Sequence, residues 1–276
     1  MNEKKIKDII DDALEEDLGF GDITTDHVIK EDEGSTGVIR AKEEGVAAGL
    51  PISEKVFERL DPEIKFEHLK EDGESINPGE EMARISGKTK PILKGERVAL
   101  NFLQRLSGIA TKARRYVEKA DSDVKIVDTR KTTPNLRILE KYAVRVGGAS
   151  NHRMGLSHSV LIKDNHIRSA GSIQEAVKRV KGNVPFTTKI EVEVESIEEA
   201  ETAVNAGADI VMLDNMSLDQ MKEAVEKIGD NVELEASGGI ELEDIEAVAD
   251  TGVDIISVGA LTHHIEALDI SLDLMN

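Results

Sequence analysis

Three short stretches of the chain set cations where an anion can use them. Asp128-Thr129-Arg130-Lys131-Thr132 directly follows an apolar run and leads to Pro134. Arg130 offers a planar fork to a phosphate or carboxylate and Lys131 a compact charge, so the pair suits an oxygen-rich ligand, a surface loop of salt bridges being the alternative. Gly147-Gly148-Ala149-Ser150-Asn151-His152-Arg153 brings two donor-rich side chains in after a flexible glycine pair, and Leu161-Ile162-Lys163-Asp164-Asn165-His166 closes a second apolar run on Lys163. If these runs are neighbouring strands of a β/α barrel, Arg130, His152, Arg153 and Lys163 converge on one ligand that carries more than one negative group. His158 and His166 are assigned to packing or to hydrogen bonds behind the site.

Carboxylates form the second set. In Glu191-Val192-Glu193-Val194-Glu195 the alternation turns all three glutamates to one side of a strand. Glu193, near the strand end, and Asp214, which closes Ile210-Val211-Met212-Leu213, put two hard oxygen ligands on neighbouring strands at the same rim. Magnesium fits such a pair and would need a negatively charged substrate to complete its shell. Glu191 and Glu195 are expected in helix-facing ion pairs. The third set is backbone: Ser237-Gly238-Gly239-Ile240 and Ser257-Val258-Gly259-Ala260 have the form of paired phosphate loops at late strand ends, ordinary turns being the alternative.

The elements that must position these groups are legible in the hydrophobic pattern. Six strand-like runs, Val124–Asp128, Ser159–Lys163, Thr187–Val194, Ile210–Asp214, Val232–Ala236 and Asp254–Val258, alternate with helical spacing over Ser172–Val180, Ile197–Ala206, Leu218–Ile228 and Leu242–Ala249. This order predicts a parallel sheet with helices outside, as a barrel or an open sheet; the glycine loops favour the barrel, although six strands fall short of the usual eight. Ahead of it, Lys4–Glu16 reads as an amphipathic helix, and residues 34–87 as short strands broken by glycine and proline, with a helix around Pro51–Leu60. A long helix from Ile92 toward Ala120 is expected to link the two parts, with Gly108 as the point where a break could fall.

The whole chain has 276 residues, 35 Lys and Arg against 55 Asp and Glu, and a net charge of −20. That balance argues against nucleic acid as a partner, and the 3% aromatic content offers no stacking platform for bases. The absence of Cys removes disulfides and thiolate chemistry. No run is apolar and long enough to span a membrane and no signal segment is evident, so a cytoplasmic protein is expected. The charge is uneven: between Ile126 and Arg168 eight Lys and Arg face three acids, a local +5. An anion site inside an acidic body is the consequence. Arg137, Lys141 and Arg145, spaced by four, are set aside as helix-surface residues.

Read together, these stretches resemble the quinolinate phosphoribosyltransferase family. The resemblance rests on Asp17-Leu18-Gly19-Phe20-Gly21-Asp22-Ile23-Thr24, on Glu96-Arg97 with Asn101 and Leu106-Ser107-Gly108-Ile109-Ala110-Thr111, and on the Asp128, Asn151, Lys163 and Ser237 motifs above. It implies a small α/β sandwich domain with its linking helix (1–112), an incomplete β/α barrel (113–264) and a C-terminal segment (265–276) that returns to the first domain. It implies magnesium-dependent phosphoribosyl transfer from phosphoribosyl pyrophosphate to quinolinate, with loss of CO₂, in NAD biosynthesis. By the same resemblance, Arg130, His152, Arg153 and Lys163 bind quinolinate and the adjoining phosphate, and Lys131 lies on the pyrophosphate side. Glu193 and Asp214 lie by the ribose and its metal, and Ser237, Gly238, Gly259 and His263 at the phosphate end. Lys131, Lys163, Glu193 and Asp214 carry the catalysis. Arg97 is expected to enter the active site of a second subunit, so a homodimer is implied, with a hexamer as the larger alternative. Nicotinate phosphoribosyltransferase is the nearest rival, and the four-residue cationic cluster favours a dicarboxylate over its monocarboxylate.

Overall fold

The computed structural model describes residues 2–275. Ile6, Ile9, Ile10 and Leu14 recur on one side and are buried, which makes α1 (Glu3–Leu18) a helix, and the Asn2 side chain caps it by accepting the Lys5 N–H at 3.2 Å. There follow α2 (Ile23–Val28), β1 (Gly34–Ala41), β2 (Gly45–Val46), α3 (Leu50–Leu60), β3 (Lys65–His68), β4 (Ser75–Ile76) and β5 (Glu81–Lys88). Then comes α4 (Thr89–Ala120), whose 32 residues span about 48 Å at the usual helical rise. The remaining elements are β6 (Lys125–Val127), α5 (Arg137–Val146), β7 (Val160–Ile162), α6 (Asp164–Ala170), α7 (Ile173–Lys181), β8 (Ile190–Val194), α8 (Ile197–Ala206) and β9 (Ile210–Asp214). The chain continues through α9 (Leu218–Ile228), β10 (Glu233–Ser237), α10 (Ile245–Ala249), β11 (Ile255–Ser257), α11 (Ala260–His263) and β12 (Ile270–Met275).

The chain forms two compact units. Residues up to Arg114, Thr132–Gly148 and the segment from Thr262 onward make the first, and Arg115–Lys131 with Ala149–Leu261 make the second. The segment Thr132–Gly148, expected within the barrel, thus groups with the first unit.

In the first unit a four-stranded antiparallel sheet runs in the order β12-β1-β5-β3. Ile39, Ile52, Phe57, Met82, Ile85 and Ile92 are fully buried there, and each contributes roughly 1.5–3 kcal/mol by leaving water. No break occurs at Gly108. A Cβ at that position would overlap the Glu266 carbonyl, so the glycine serves the close approach of the C-terminal segment to an unbroken helix. The helix-surface assignment of Lys141 is also overturned: it is completely buried, beside an equally buried Glu140. Glu140 accepts Arg105 Nη2 at 2.6 Å and the Thr133 N–H at 3.1 Å, which offsets its loss of water.

In the second unit six parallel strands follow the order β6-β11-β10-β9-β8-β7, an incomplete barrel in which β6 and β7 do not pair with each other. Strict alternation divides the faces. Val192, Val194, Val211, Leu213, Leu234 and Ala236 are buried on one face, while Glu191, Glu193, Met212, Asp214, Glu235 and Ser237 share the other. The connections start their helices with serine caps: Ser172, Ser196 and Ser217 accept the N–H groups of Glu175, Glu199 and Gln220. The apolar face is therefore the one the sequence pattern shows as strand core, and the polar face is left for chemistry.

Candidate active site

The strand registers decide which polar side chains stand side by side. β7 pairs with β8 so that Ile162 lies beside Val192, and Lys163, one residue on, reaches Glu193 in a close ion pair. β8 pairs with β9 up to Val194 and Leu213. Asp214 therefore extends the same polar face past the end of that pairing, and it lies beside Ser237 on β10. Lys163, Glu193, Asp214 and Ser237 thus line the C-terminal strand ends in sequence order. Asp214 accepts the Asn215 Nδ2–H at 2.9 Å, and the Asn215 backbone N–H returns to the Ser237 carbonyl at 3.0 Å. Gly238 has a φ of +99°, and a Cβ there would overlap Asn215, so the loop after β10 needs glycine both for its backbone and for its neighbour.

The loop after β6 carries the next cations. Asp128 is completely buried at the strand end; it accepts the Asn151 Nδ2–H at 2.6 Å and the His152 N–H at 2.9 Å. This carboxylate ties the 149–153 turn to β6, and a parallel bridge between Val127 and Ser150 extends the tie. Arg130 and Lys131 beyond it are exposed, and the Lys131 side chain passes over Gly259. Arg153 is half-buried and donates Nη1–H to the Ser159 carbonyl at 3.0 Å. Burial first, and then the nearby Arg130 charge, pull its pKa down. Two like charges that disfavour each other in this way are relieved by an anion.

His152 is half-buried, and both its ring nitrogens face protein groups. Nδ1 accepts the Arg153 backbone N–H at 2.8 Å, while Nε2 faces Glu191 Oε2 at 3.2 Å and Glu235 Oε2 at 3.5 Å. Both glutamates are 1% exposed. Burial opposes a charge on the ring, while the hydrogen bonds to Glu191 and Glu235 favour one and raise its pKa. The N–H aimed at Nδ1 opposes a second ring proton and decides the tautomer, because a protonated Nδ1 would repel it. Burial in turn raises the Glu191 carboxyl, against the His152 hydrogen bond, which lowers it. The three residues also offer three potential ligand atoms within 4.8 Å of one another. With Nδ1 engaged as an acceptor, however, Nε2 carries the hydrogen and has no lone pair for a metal.

This cluster corrects the expected helix-facing place of Glu191. Glu191 must share the face of Glu193, since two residues separate them on a strand, and His152 makes its burial tolerable. Glu235 was not singled out at all, although Glu233-Leu234-Glu235 carries the same alternating signal as β8. Asp128 and Asn151 were seen only as parts of motifs. His158 and His166 are exposed rather than packed; the His166 Nδ1 accepts the Lys163 N–H at 3.0 Å at the start of α6. Two expected site residues belong to the first unit. Arg97 is exposed on α4, and His263 is exposed at the end of α11, its ring edge-on to His264.

Residues 22–107 match the N-terminal domain of quinolinate phosphoribosyl transferase, and residues 109–273 match its C-terminal domain. A probable nicotinate-nucleotide pyrophosphorylase (carboxylating) of Bacillus subtilis is 44% identical over 275 residues, which is 99% of this chain and 95% of that protein. Its counterpart in Methanocaldococcus jannaschii is 44% identical over 278 residues, covering 97% and 96%. The crystal structure of NadC from Streptococcus pyogenes superposes with a TM-score of 0.96 at 42% identity, covering 100% of this chain and 99% of that one.

Proposed function

Because the chain belongs to the quinolinate phosphoribosyltransferase family, we propose that its strand ends transfer the phosphoribosyl group of phosphoribosyl pyrophosphate to quinolinate, with decarboxylation. The products are nicotinate mononucleotide, pyrophosphate and CO₂, as a step of de novo NAD biosynthesis in the cytoplasm. The observation that carries this reading is the arrangement of one polar sheet face, with cations from the β6 and β7 ends beside carboxylates from β8 and β9.

Arg130 and Arg153, held near each other, take the quinolinate carboxylates with Lys163 and the His152 turn, and Lys131 takes the pyrophosphate side. Ser237, Gly238, Gly259 and His263 serve the phosphate. As pyrophosphate leaves, positive charge grows at the ribose C1, and Glu193 and Asp214 stabilise it. The pyridine nitrogen attacks C1. Once quaternised, the ring stabilises the electron pair left on its carbon as CO₂ departs, and that carbon then takes a proton from water, so the residues need only orient the ring and restrict solvent to that step. Transfer thus comes first and decarboxylation second; free nicotinate formed ahead of any mononucleotide would reverse that order.

Glu193 and Asp214 also fit magnesium as a partial ligand set. Both are half-buried carboxylates on one face of adjacent strands, and two such oxygens would share the ion with the substrate's phosphates. Magnesium held there supplies positive charge against the leaving pyrophosphate. The exposed Arg97 would complete the site of a second subunit in a homodimer, the hexamer being the larger alternative.

The decisive assay incubates purified protein with magnesium, phosphoribosyl pyrophosphate and either quinolinate or nicotinate, and follows mononucleotide and CO₂. Both products are expected from quinolinate. Mononucleotide from nicotinate alone would overturn the substrate assignment.

A further inference from the structure

Two of the most deeply buried charged groups in the second unit, Glu191 and Glu235, take no part in the reaction just described. They stand on β8 and β10, two strands apart on the same polar face, offset in register as tilted barrel strands require. Burying two carboxylates is costly unless something satisfies them. What meets them is one imidazole edge: His152 Nε2 lies within 3.5 Å of both. The opposite edge of the ring, Nδ1, receives the Arg153 backbone N–H at 2.8 Å. The ring is therefore a strut between two barrel strands and the main chain of an arginine. The turn has a second anchor, since Asp128 holds the His152 N–H and the Asn151 amide. One anchor fixes the position of the turn; the second fixes its rotation, which sets where the Arg153 guanidinium points.

We infer that Glu191 and Glu235 are positioning residues that clamp the His152 ring and thereby aim Arg153 at the substrate carboxylate. The inference rests on the proposed reaction with quinolinate. The Glu235 Oε1 atom, which is buried and makes no hydrogen bond, agrees with a carboxylate held for one contact. The clamp bears on the acceptor substrate because the side chain it aims is that of Arg153; Glu235 shares β10 with one phosphate loop but lies two residues before Ser237.

The test compares wild type with Glu191→Gln and Glu235→Gln, singly and together, with magnesium present. Each single variant is expected to raise the KM for quinolinate on the order of tenfold while that for phosphoribosyl pyrophosphate stays within about twofold. The double variant should fall short of the product of the two effects, because both act through one ring. Nitrogen-15 spectra of the wild-type imidazole supply an independent readout, with Nδ1 bare and Nε2 protonated. A protonated Nδ1 overturns the clamp even if the variants fail to fold. Folded variants with an unchanged quinolinate KM, or with both KM values raised alike, overturn it as well. If wild type makes no product from quinolinate, the reaction assignment fails, and the spectra still decide whether the clamp exists.

Discussion

Removing the Asp128 carboxylate tests whether the 149–153 turn is held by the end of β6. Asp128 is completely buried, and the hydrogen bonds it accepts include those from Asn151 Nδ2 at 2.6 Å and the His152 N–H at 2.9 Å. Hydrogen bonds to a charged group contribute about 1.5–3 kcal/mol each, so Asp128→Ala, which deletes at least these two, is expected to cost about 3 kcal/mol or more. Asp128→Asn keeps the shape and one acceptor oxygen but turns an NH₂ toward a donor, for a cost of about 1–3 kcal/mol. Urea unfolding measures both losses. Steady-state kinetics should show the Asn variant with a raised KM for quinolinate, since the turn carries Arg153. An Ala variant within about 1 kcal/mol of wild type would refute the reasoning, as would an Asn variant as damaged as the Ala one.

Mixing Arg97→Ala subunits with Lys163→Ala subunits should restore part of the activity through hybrid sites; no recovery in proven mixed dimers would reject the shared site. Gly238→Ala places a Cβ against Asn215 at a positive φ, so a loss of about 2 kcal/mol or more is expected, with the KM for phosphoribosyl pyrophosphate raised. Tyr142 donates to Asp72 at 2.6 Å; burial and then that bond hold its phenol well above the usual tyrosine range. The folded state keeps this proton while the unfolded state releases it near about pH 10. Stability from this group is therefore complete below that pH and declines above it by at most about 1.4 kcal/mol per pH unit, and Tyr142→Phe should flatten the alkaline limb in chemical unfolding.

The six barrel strands were legible because each is a short apolar run with a helical stretch after it, and four of their ends were legible as chemistry because Arg130, Lys163, Glu193 and Asp214 interrupt that apolarity abruptly. The loops after β10 and β11 were legible through their glycines. What stayed hidden depends on pairing across the chain. Glu191 reads as a surface residue until β8 is set beside the turn that carries His152, 39 residues earlier. Lys141 sits at helical spacing from Arg137 and Arg145, and spacing alone cannot say which side of α5 is covered. Gly108 reads as a breaker because nothing local shows the Glu266 carbonyl that needs its missing side chain.

The sheet order of the first unit bears on how the protein is made. β1 pairs with β12, Ile39 opposite Leu272, so the two halves of that ladder are more than two hundred residues apart in synthesis. Every residue of the barrel unit leaves the ribosome before the strand that covers β1. During that interval β1 presents an unpaired edge, the template through which nascent chains associate wrongly. The barrel unit can fold ahead of the sheet begun by the first strand, and chaperone demand should fall once residues 270–275 have emerged.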